Sequence, residues 1–416
     1  MVNEPKWKKW TIGELISQTK TTIQTGPFGT VLSASEFVDY GIPVISVREI
    51  REGFIRVTDE TPCVTDETFS RLGKYTLSAN DIVFARKGSV DRSAVIPDGA
   101  ERYFLGSDGI RIRFDKRVVN PNLMLYIFQS PSTKQFLIQS SYGTTMAGLN
   151  EKILSALEFY LPETMEEQNR IVQVLTDIDK QLTLTEEMIA KKRAIKQGTM
   201  QELLTGKKRL PGFSGEWQNF NLMKHSKIKA RIGWQGLKKS EYLDSGYALL
   251  VTGTDFDNGR VQWDQCHYVT RSRYDQDRNI QIQSNDILIT KDGSLGKAAL
   301  VQGLSKPATL NSGIFVIRPL QNAYDPVFVY HILSSFVFKD FLDKLSAGST
   351  IIHLYQKDVG KFEFLLPPTI EEQKGIAAVL SEMDADIAAL EEKLAKYRQV
   401  KQGMMQQLLT GKIRLV

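Results

Sequence analysis

Residues 161–210 read LPETMEEQNRIVQVLTDIDKQLTLTEEMIAKKRAIKQGTMQELLTGKKRL, and residues 366–415 read LPPTIEEQKGIAAVLSEMDADIAALEEKLAKYRQVKQGMMQQLLTGKIRL. The stretches align without a gap at an offset of 371 − 166 = 205, with about half of their positions identical. A period this long marks a duplicated half-protein rather than a solenoid of small units. Each copy carries helix signals at both ends. Thr164 and Thr369 stand at N-cap positions, with Glu167 and Glu372 three residues on, the capping-box spacing. Gly206 and Gly411 follow Leu-Leu-Thr, as C-terminal glycine stops do. About 40 residues between caps amount to roughly 60 Å of helix. In the second copy Ile376, Leu380, Met383, Ile387, Leu390, Leu394 and Tyr397 step by four and three, the seam of a coiled coil. The first copy matches at Ile171, Leu175, Ile178, Leu182 and Ile189 but places Thr185 and Lys192 on the seam. Two such stripes in one chain are expected to bury each other.

The repeat extends outward from the helices. Ser35-Glu36-Phe37 matches Ser240-Glu241-Tyr242, Asn80-Asp81-Ile82 matches Asn285-Asp286-Ile287, and Gly88-Ser89 matches Gly293-Ser294. Nearer the start, Trp10 and Gly26 align with Trp217 and Gly233 at an offset of 207. The order is therefore globular part, long helix, globular part, long helix, with boundaries expected at 1–160, 161–210, 211–365 and 366–416. Apolar runs at 43–46, 81–84 and 110–113 read as strands. Leu123–Gln129, Ser132–Ile138, Pro326–Leu333 and Phe336–Leu345 read as helices. Strands early and helices late in each half give an α+β class. Leu210–Gln218 reads as a linker.

Composition bounds the function. The 416 residues hold 42% hydrophobic and 24% charged residues with a net charge of +5, which is ordinary for a soluble protein and mildly basic. Cys63 and Cys266 are the only cysteines, which fits a reducing cytoplasm and neither a disulfide framework nor a zinc site. The first residues lack a signal-peptide pattern, and no apolar run approaches membrane-spanning length. No phosphate loop, dinucleotide fingerprint or nucleophile elbow occurs. His225, His267, His331 and His353 show no metal-ligand spacing. Glu166 and Glu167 are accounted for by the helix start.

With those residues in view, the chain resembles the specificity subunit of a type I restriction–modification system. The resemblance rests on the twin LP-x-T-x-EEQ…QG-x-x-QxLLTGK-x-RL helix, the Gly26-Pro27-Phe28-Gly29 turn, and the stretch Gly348 to Tyr355. It implies two target recognition domains, each reading one part of a split duplex DNA sequence. It implies that the long helices form an antiparallel coiled coil that spaces the domains and docks two methyltransferase subunits. Restriction/translocase subunits would join them. The chain itself would be non-catalytic and without cofactor, with S-adenosylmethionine, ATP and Mg on the partners. The Gly-Pro-Phe-Gly turn has no copy in the second half, so the two domains are expected to read different sequences. Two rivals stand beside this reading: a self-contained DNA-modifying enzyme, and a coiled-coil adaptor without DNA contact.

Base readout needs directional donors and acceptors on surface loops. In the first half the candidates are Thr21, Thr30, Arg48, Lys87, Ser89, Tyr142, Thr144 and Thr145. In the second they are Lys229, Arg231, Trp234, Gln235, Thr252, Lys291, Ser294, Ser349, Thr350, His353 and Tyr355. Lys87-Gly88-Ser89 and Lys291-Asp292-Gly293-Ser294 lead, because each sets a cation and a hydroxyl beside a glycine after a strand; a plain turn is the alternative. Lys207, Lys208 and Arg209, with Lys412 and Arg414, either touch phosphate or sit as solvated cations at helix ends. Met200, Leu204, Met405 and Leu409 either dock methyltransferase subunits or pack beneath the globular part of the opposite half.

Overall fold

In each repeat, the strand leading into the candidate reading turn is buried on both faces. Ile82–Ala85 and Ile287–Thr290 are buried at every position, the pattern of a strand with a core on either side. The computed structural model describes residues 7–29, 31–99, 102–141, 148–346 and 353–415, without the side chains of Trp234 and Ser346. Two units result, Met1–Glu186 with Glu392–Val416, and Glu187–Glu391.

In unit 1 an antiparallel sheet runs in the order Thr22–Thr25, Gly109–Arg113, Ile82–Ala85, Ser93–Val95. Alternate side chains point to opposite faces of a strand. Ile82, Phe84, Ile110 and Ile112 therefore pack with the helix Pro121–Gln129, while Val83 and Ala94 join a second core with Val44, Ile45 and Phe104 of a five-stranded mixed sheet. Unit 2 repeats the scheme. Ile287, Ile289, Phe315 and Ile317 meet the helix Pro326–Leu333, and Leu288 and Val316 face the core that holds Leu249, Val251 and Leu310. An ion pair on a buried carboxylate recurs at the same place: Arg113 Nη2 to Asp81 at 2.7 Å, and Arg318 Nε to Asp286 at 2.5 Å. The α+β class stands, and the expected strands and helices fall within a few residues of their observed ends.

A short antiparallel pair closes each globular part. Trp7–Thr11 pairs with Glu158–Pro162, and Gln218–Asn221 pairs with Glu363–Leu366. Trp7 stands opposite Pro162, and a side chain on Gly411 would meet the Trp7 ring just as one on Gly206 would meet Trp217. The counterpart of Trp217 is thus Trp7, not Trp10. Two tryptophans three residues apart misled the alignment.

The long helices span Met165–Leu203 and Ile370–Leu408, and in each unit their halves run antiparallel. In unit 1, Glu186 pairs with Arg398, Asp179 with Lys401 and Glu167 with Arg414, at 2.8, 2.5 and 2.8 Å. In unit 2, Lys192 pairs with Asp386 at 2.6 Å, Arg193 with Glu391 at 2.5 Å and Arg209 with Glu372 at 2.5 Å. Lys192, polar on the seam, is thereby matched. The start of each helix packs on its own globular part, and its end packs on the other one. This is why the packing boundaries fall in mid-helix rather than at 160/161 and 365/366.

The helix-start motif accounts for itself residue by residue. Thr164 Oγ1 accepts the Glu167 N–H at 3.3 Å and Thr369 Oγ1 accepts that of Glu372 at 3.3 Å, so the N-caps form. The glutamate side chains do not turn back to complete the box. Glu167 instead accepts both Nε and Nη2 of Arg414 at 2.8 Å and the Trp7 indole N–H at 3.3 Å. Burial opposes its charge, yet these hydrogen bonds hold Glu167 below the ordinary carboxylate range. Glu372 grips Arg209 in the same bidentate way. Arg209 and Arg414 are thus structural clamps, neither phosphate contacts nor solvated helix ends. The following glutamines bridge helix and globular part: Gln168 takes the Asn120 N–H at 2.8 Å, and Gln373 takes that of Asp325 at 2.8 Å.

The proposed docking residues are corrected as well. Met200 and Leu204 are buried in the unit 2 core beside Phe220 and Ile376, and Leu409 is buried in the unit 1 core, with Met405 packed against it. Each secures a helix end to a globular part, because an apolar side chain on the inner face of an amphipathic helix is drawn inward.

Candidate nucleic-acid interface

The central strand of each unit runs into a turn at the sheet edge, and the turns are held alike. In unit 1 the Arg86 N–H donates to Asp108 O and the Leu149 N–H to Arg86 O, both at 2.8 Å. In unit 2 the Lys291 N–H donates to Gly313 O at 2.8 Å and the Leu354 N–H to Lys291 O at 2.9 Å. Gly88 and Gly293 take φ of +70° and +69°, the left-handed conformation that glycine adopts without cost. Backbone equivalence sets Arg86, not Lys87, opposite Lys291; sequence reasoning passed over Arg86 although 86 + 205 = 291.

Unit 2 gathers several candidates at this turn. Ser294 is exposed, and the Lys291 ammonium lies 5.7 Å from the Phe315 ring centre. His353 Nδ1 faces the Asp292 carboxylate, and its ring lies 5.3 Å from Tyr355. Tyr355 is 55% exposed, with Lys357 over its ring at 5.5 Å. Lys229 is exposed on the edge strand Ser226–Ala230. The result is a cationic, aromatic and hydroxyl-bearing surface on a rigid turn, the chemistry that meets phosphates and base edges.

In unit 1, Lys87 is exposed but paired with Asp108 at 3.0 Å, and Ser89 is half-buried in the turn. Arg48 is exposed and paired with Glu60 at 3.3 Å. Phe28, read from sequence as part of a plain turn, is 57% exposed, with the Arg86 guanidinium over its ring at 5.3 Å. Its display is a signal that sequence alone does not carry.

Four candidates are buried and are corrected here. Thr21 Oγ1 accepts the Asp115 N–H at 3.2 Å inside a corner. Thr252 Oγ1 is bonded to Thr254 Oγ1 at 2.7 Å and Asp255 at 3.0 Å, closing a turn. Arg231 is 1% exposed and donates to Leu310 O at 2.8 Å and Thr309 Oγ1 at 3.2 Å; burial, then Arg273, lowers its pKa. Gln235 is buried in the same loop. Thr21, Thr252 and Arg231 thus hold loops rather than face a ligand, whereas the buried Gln235 Oε1 has no hydrogen-bond partner among the described residues. Thr30, Tyr142, Thr144, Thr145, Ser349 and Thr350 lie outside the described residues, as does the side chain of Trp234, whose backbone sits in the turn Gly233–Gln235. Among the described residues no cluster of three or more His, Cys, Asp or Glu could hold a metal ion, and no helix is long and apolar enough to cross a membrane.

Comparison with known proteins gives this geometry its context. The family described as "Type I restriction modification DNA specificity domain" matches residues 5–192 and 216–399. The type I restriction enzyme MjaVIII specificity subunit of Methanocaldococcus jannaschii is 24% identical over 98% of this chain and 93% of its own length. The putative MjaX specificity subunit of the same organism is 25% identical over 99% and 97%. The crystal structure of a type I restriction-modification S subunit from M. genitalium superposes with a TM-score of 0.60 at 16% identity, covering 98% of this chain and 97% of that one. A chain from a structure of a type I R-M system gives 0.57 at 18% identity, covering 99% of each chain. Both structures share the fold.

Proposed function

Because the chain belongs to the type I restriction modification DNA specificity family, as a specificity subunit and not a catalytic one, we propose that each unit reads one half of a bipartite, asymmetric duplex DNA site. The observation that carries this reading is one scaffold bearing two chemistries. At equivalent turns unit 1 offers Arg86 and Phe28, and unit 2 offers Lys291, Ser294, His353 and Tyr355. The long helices would set the spacer between half-sites and dock two methyltransferase subunits, with restriction/translocase subunits completing the complex in the cytoplasm. S-adenosylmethionine, ATP and Mg would reside on those partners. Relatives named as specificity subunits of type I restriction enzymes support the DNA-specificity reading.

The test is a map of methylated bases across the host genome, with and without this chain. We expect a split motif with two unlike halves that disappears on deletion and returns on complementation. Methyl transfer by the purified chain alone, or an unchanged methylation map, would count against the proposal.

A further inference from the structure

We propose that Arg86, laid over the exposed ring of Phe28, reads a guanine in the half-site of unit 1. This inference rests on the DNA-reading function above and names the side chain that performs it.

Three observations converge on Arg86. First, it is a cation without a carboxylate partner, unlike Lys87, Arg48 and Arg113. Lys87 is neutralised by Asp108 at 3.0 Å, Arg48 by Glu60 at 3.3 Å, and Arg113 by Asp81 at 2.7 Å. Among the described residues no carboxylate lies within ion-pair distance of Arg86. A half-buried guanidinium without a counter-charge is unusual, because charged groups removed from water are ordinarily paired; here an anionic, acceptor-rich ligand would supply the partner.

Second, both residues are rigidly mounted. The Arg86 backbone is tied on both sides, to Asp108 O and from the Leu149 N–H. Phe28 O accepts the N–H groups of Val31 at 2.8 Å and Leu32 at 3.1 Å. At the base of the loop a side chain on Gly26 would lie 1.8 Å from Gly106 O, so backbone packs on backbone there. The backbone that carries the ring is held in place, and the guanidinium lies over the ring at 5.3 Å, a cation–π contact that favours one placement of the fork. A planar fork with a set orientation matches the paired O6 and N7 acceptors of guanine.

Third, the pair borders a cleft of about 640 Å³, whose walls include Lys74, Tyr75 and Lys152. Its one carboxylate, Glu151, is committed to the Thr25 N–H at 2.8 Å and hydroxyl at 2.7 Å. The cleft therefore presents cations for phosphates around one directional reader and one apolar face. In unit 2 the equivalent residue is Lys291, a point charge without the fork. The two units are expected to differ in what they demand at this position.

The experiment uses the full-length chain co-expressed with its methyltransferase subunits. Methylated motifs are mapped, and binding to the motif duplex and its single-position variants is measured. Arg86→Gln is expected to weaken cognate binding about 5- to 150-fold. It should also turn one fixed G·C pair degenerate in one half of the motif, leaving the other half intact. Phe28→Ala should relax the same position by less. Arg86→Lys keeps length and charge but removes the fork, so it must relax that G·C pair even if Arg86→Gln folds poorly. An unchanged motif, or uniform weakening on every duplex, would overturn the proposal. A wild-type chain that yields no split motif would instead overturn the DNA-reading function itself.

Discussion

The Arg414–Glu167 clamp joins residues 247 positions apart around a carboxylate that is nearly without solvent. Removing the guanidinium leaves that charge with only the Trp7 indole and the Leu415 N–H. Arg414→Ala should cost about 1.5–3 kcal/mol in urea unfolding, the usual range for a charge-assisted hydrogen-bonded partner; a negligible loss would show the clamp to be incidental. His331 offers a pH test. It is 1% exposed, and Nε2 shares a hydrogen bond with Ser381 Oγ at 3.1 Å. Burial and then the Lys196 ammonium push its pKa down to about 3 from 6.5. Between those values the unfolded chain binds a proton that the folded chain refuses. Its contribution is therefore complete above pH 6.5 and falls as pH drops toward 3, by up to a few kcal/mol. His331→Gln should flatten that slope when urea midpoints are compared at pH 7, 5.5 and 4.5; parallel slopes would contradict the assignment. At this scale the sequence was only partly legible. Lys87 and Arg231 carry the right chemistry for DNA, but the first has a neighbouring acid and the second a buried berth. Neither partner can be read from residue order, because each comes from a distant strand or loop.

The long helices were the most legible elements, since caps and a four-three apolar step both act within a few residues of sequence. Ile171, Leu175, Ile376 and Leu380 are buried, the first two in the core of unit 1 and the last two in that of unit 2. The central strands were caught as short apolar runs. Their sharing between two cores was not, because a strand buried on both faces shows no alternation to read. If the helices act as the spacer, their length is the variable that matters. Inserting four residues at matched points of both helices adds about 6 Å. The spacer in the methylated motif should then lengthen by one or two base pairs while both half-sites stay the same. Insertion variants that keep the parental spacer would remove the helices from that role.

Unit 1 is completed by 392–416 from the other end of the sequence, and unit 2 by 187–210, the end of the first long helix and the stretch that leads into the second globular part. The two segments are copies, with Met200, Leu203, Leu204 and Arg209 standing for Met405, Leu408, Leu409 and Arg414. A chain of residues 1–210 therefore ends in a copy of the piece its own globular part lacks. It should form a two-fold dimer in which each copy completes the other; a folded monomer by sedimentation would contradict this. The duplication was evident from sequence, but the crossed completion was not, because a repeat shows which segments are alike and not which ones touch. Because both junctions use the same clamp, genetic exchange within the repeated helix can replace one globular part while the incoming piece still finds its matching arginine, glutamate and glutamine. If each globular part reads its own half-site, recombination is a shorter route to a new DNA target than stepwise substitution, since the inherited unit of change is a whole reader with its sockets intact.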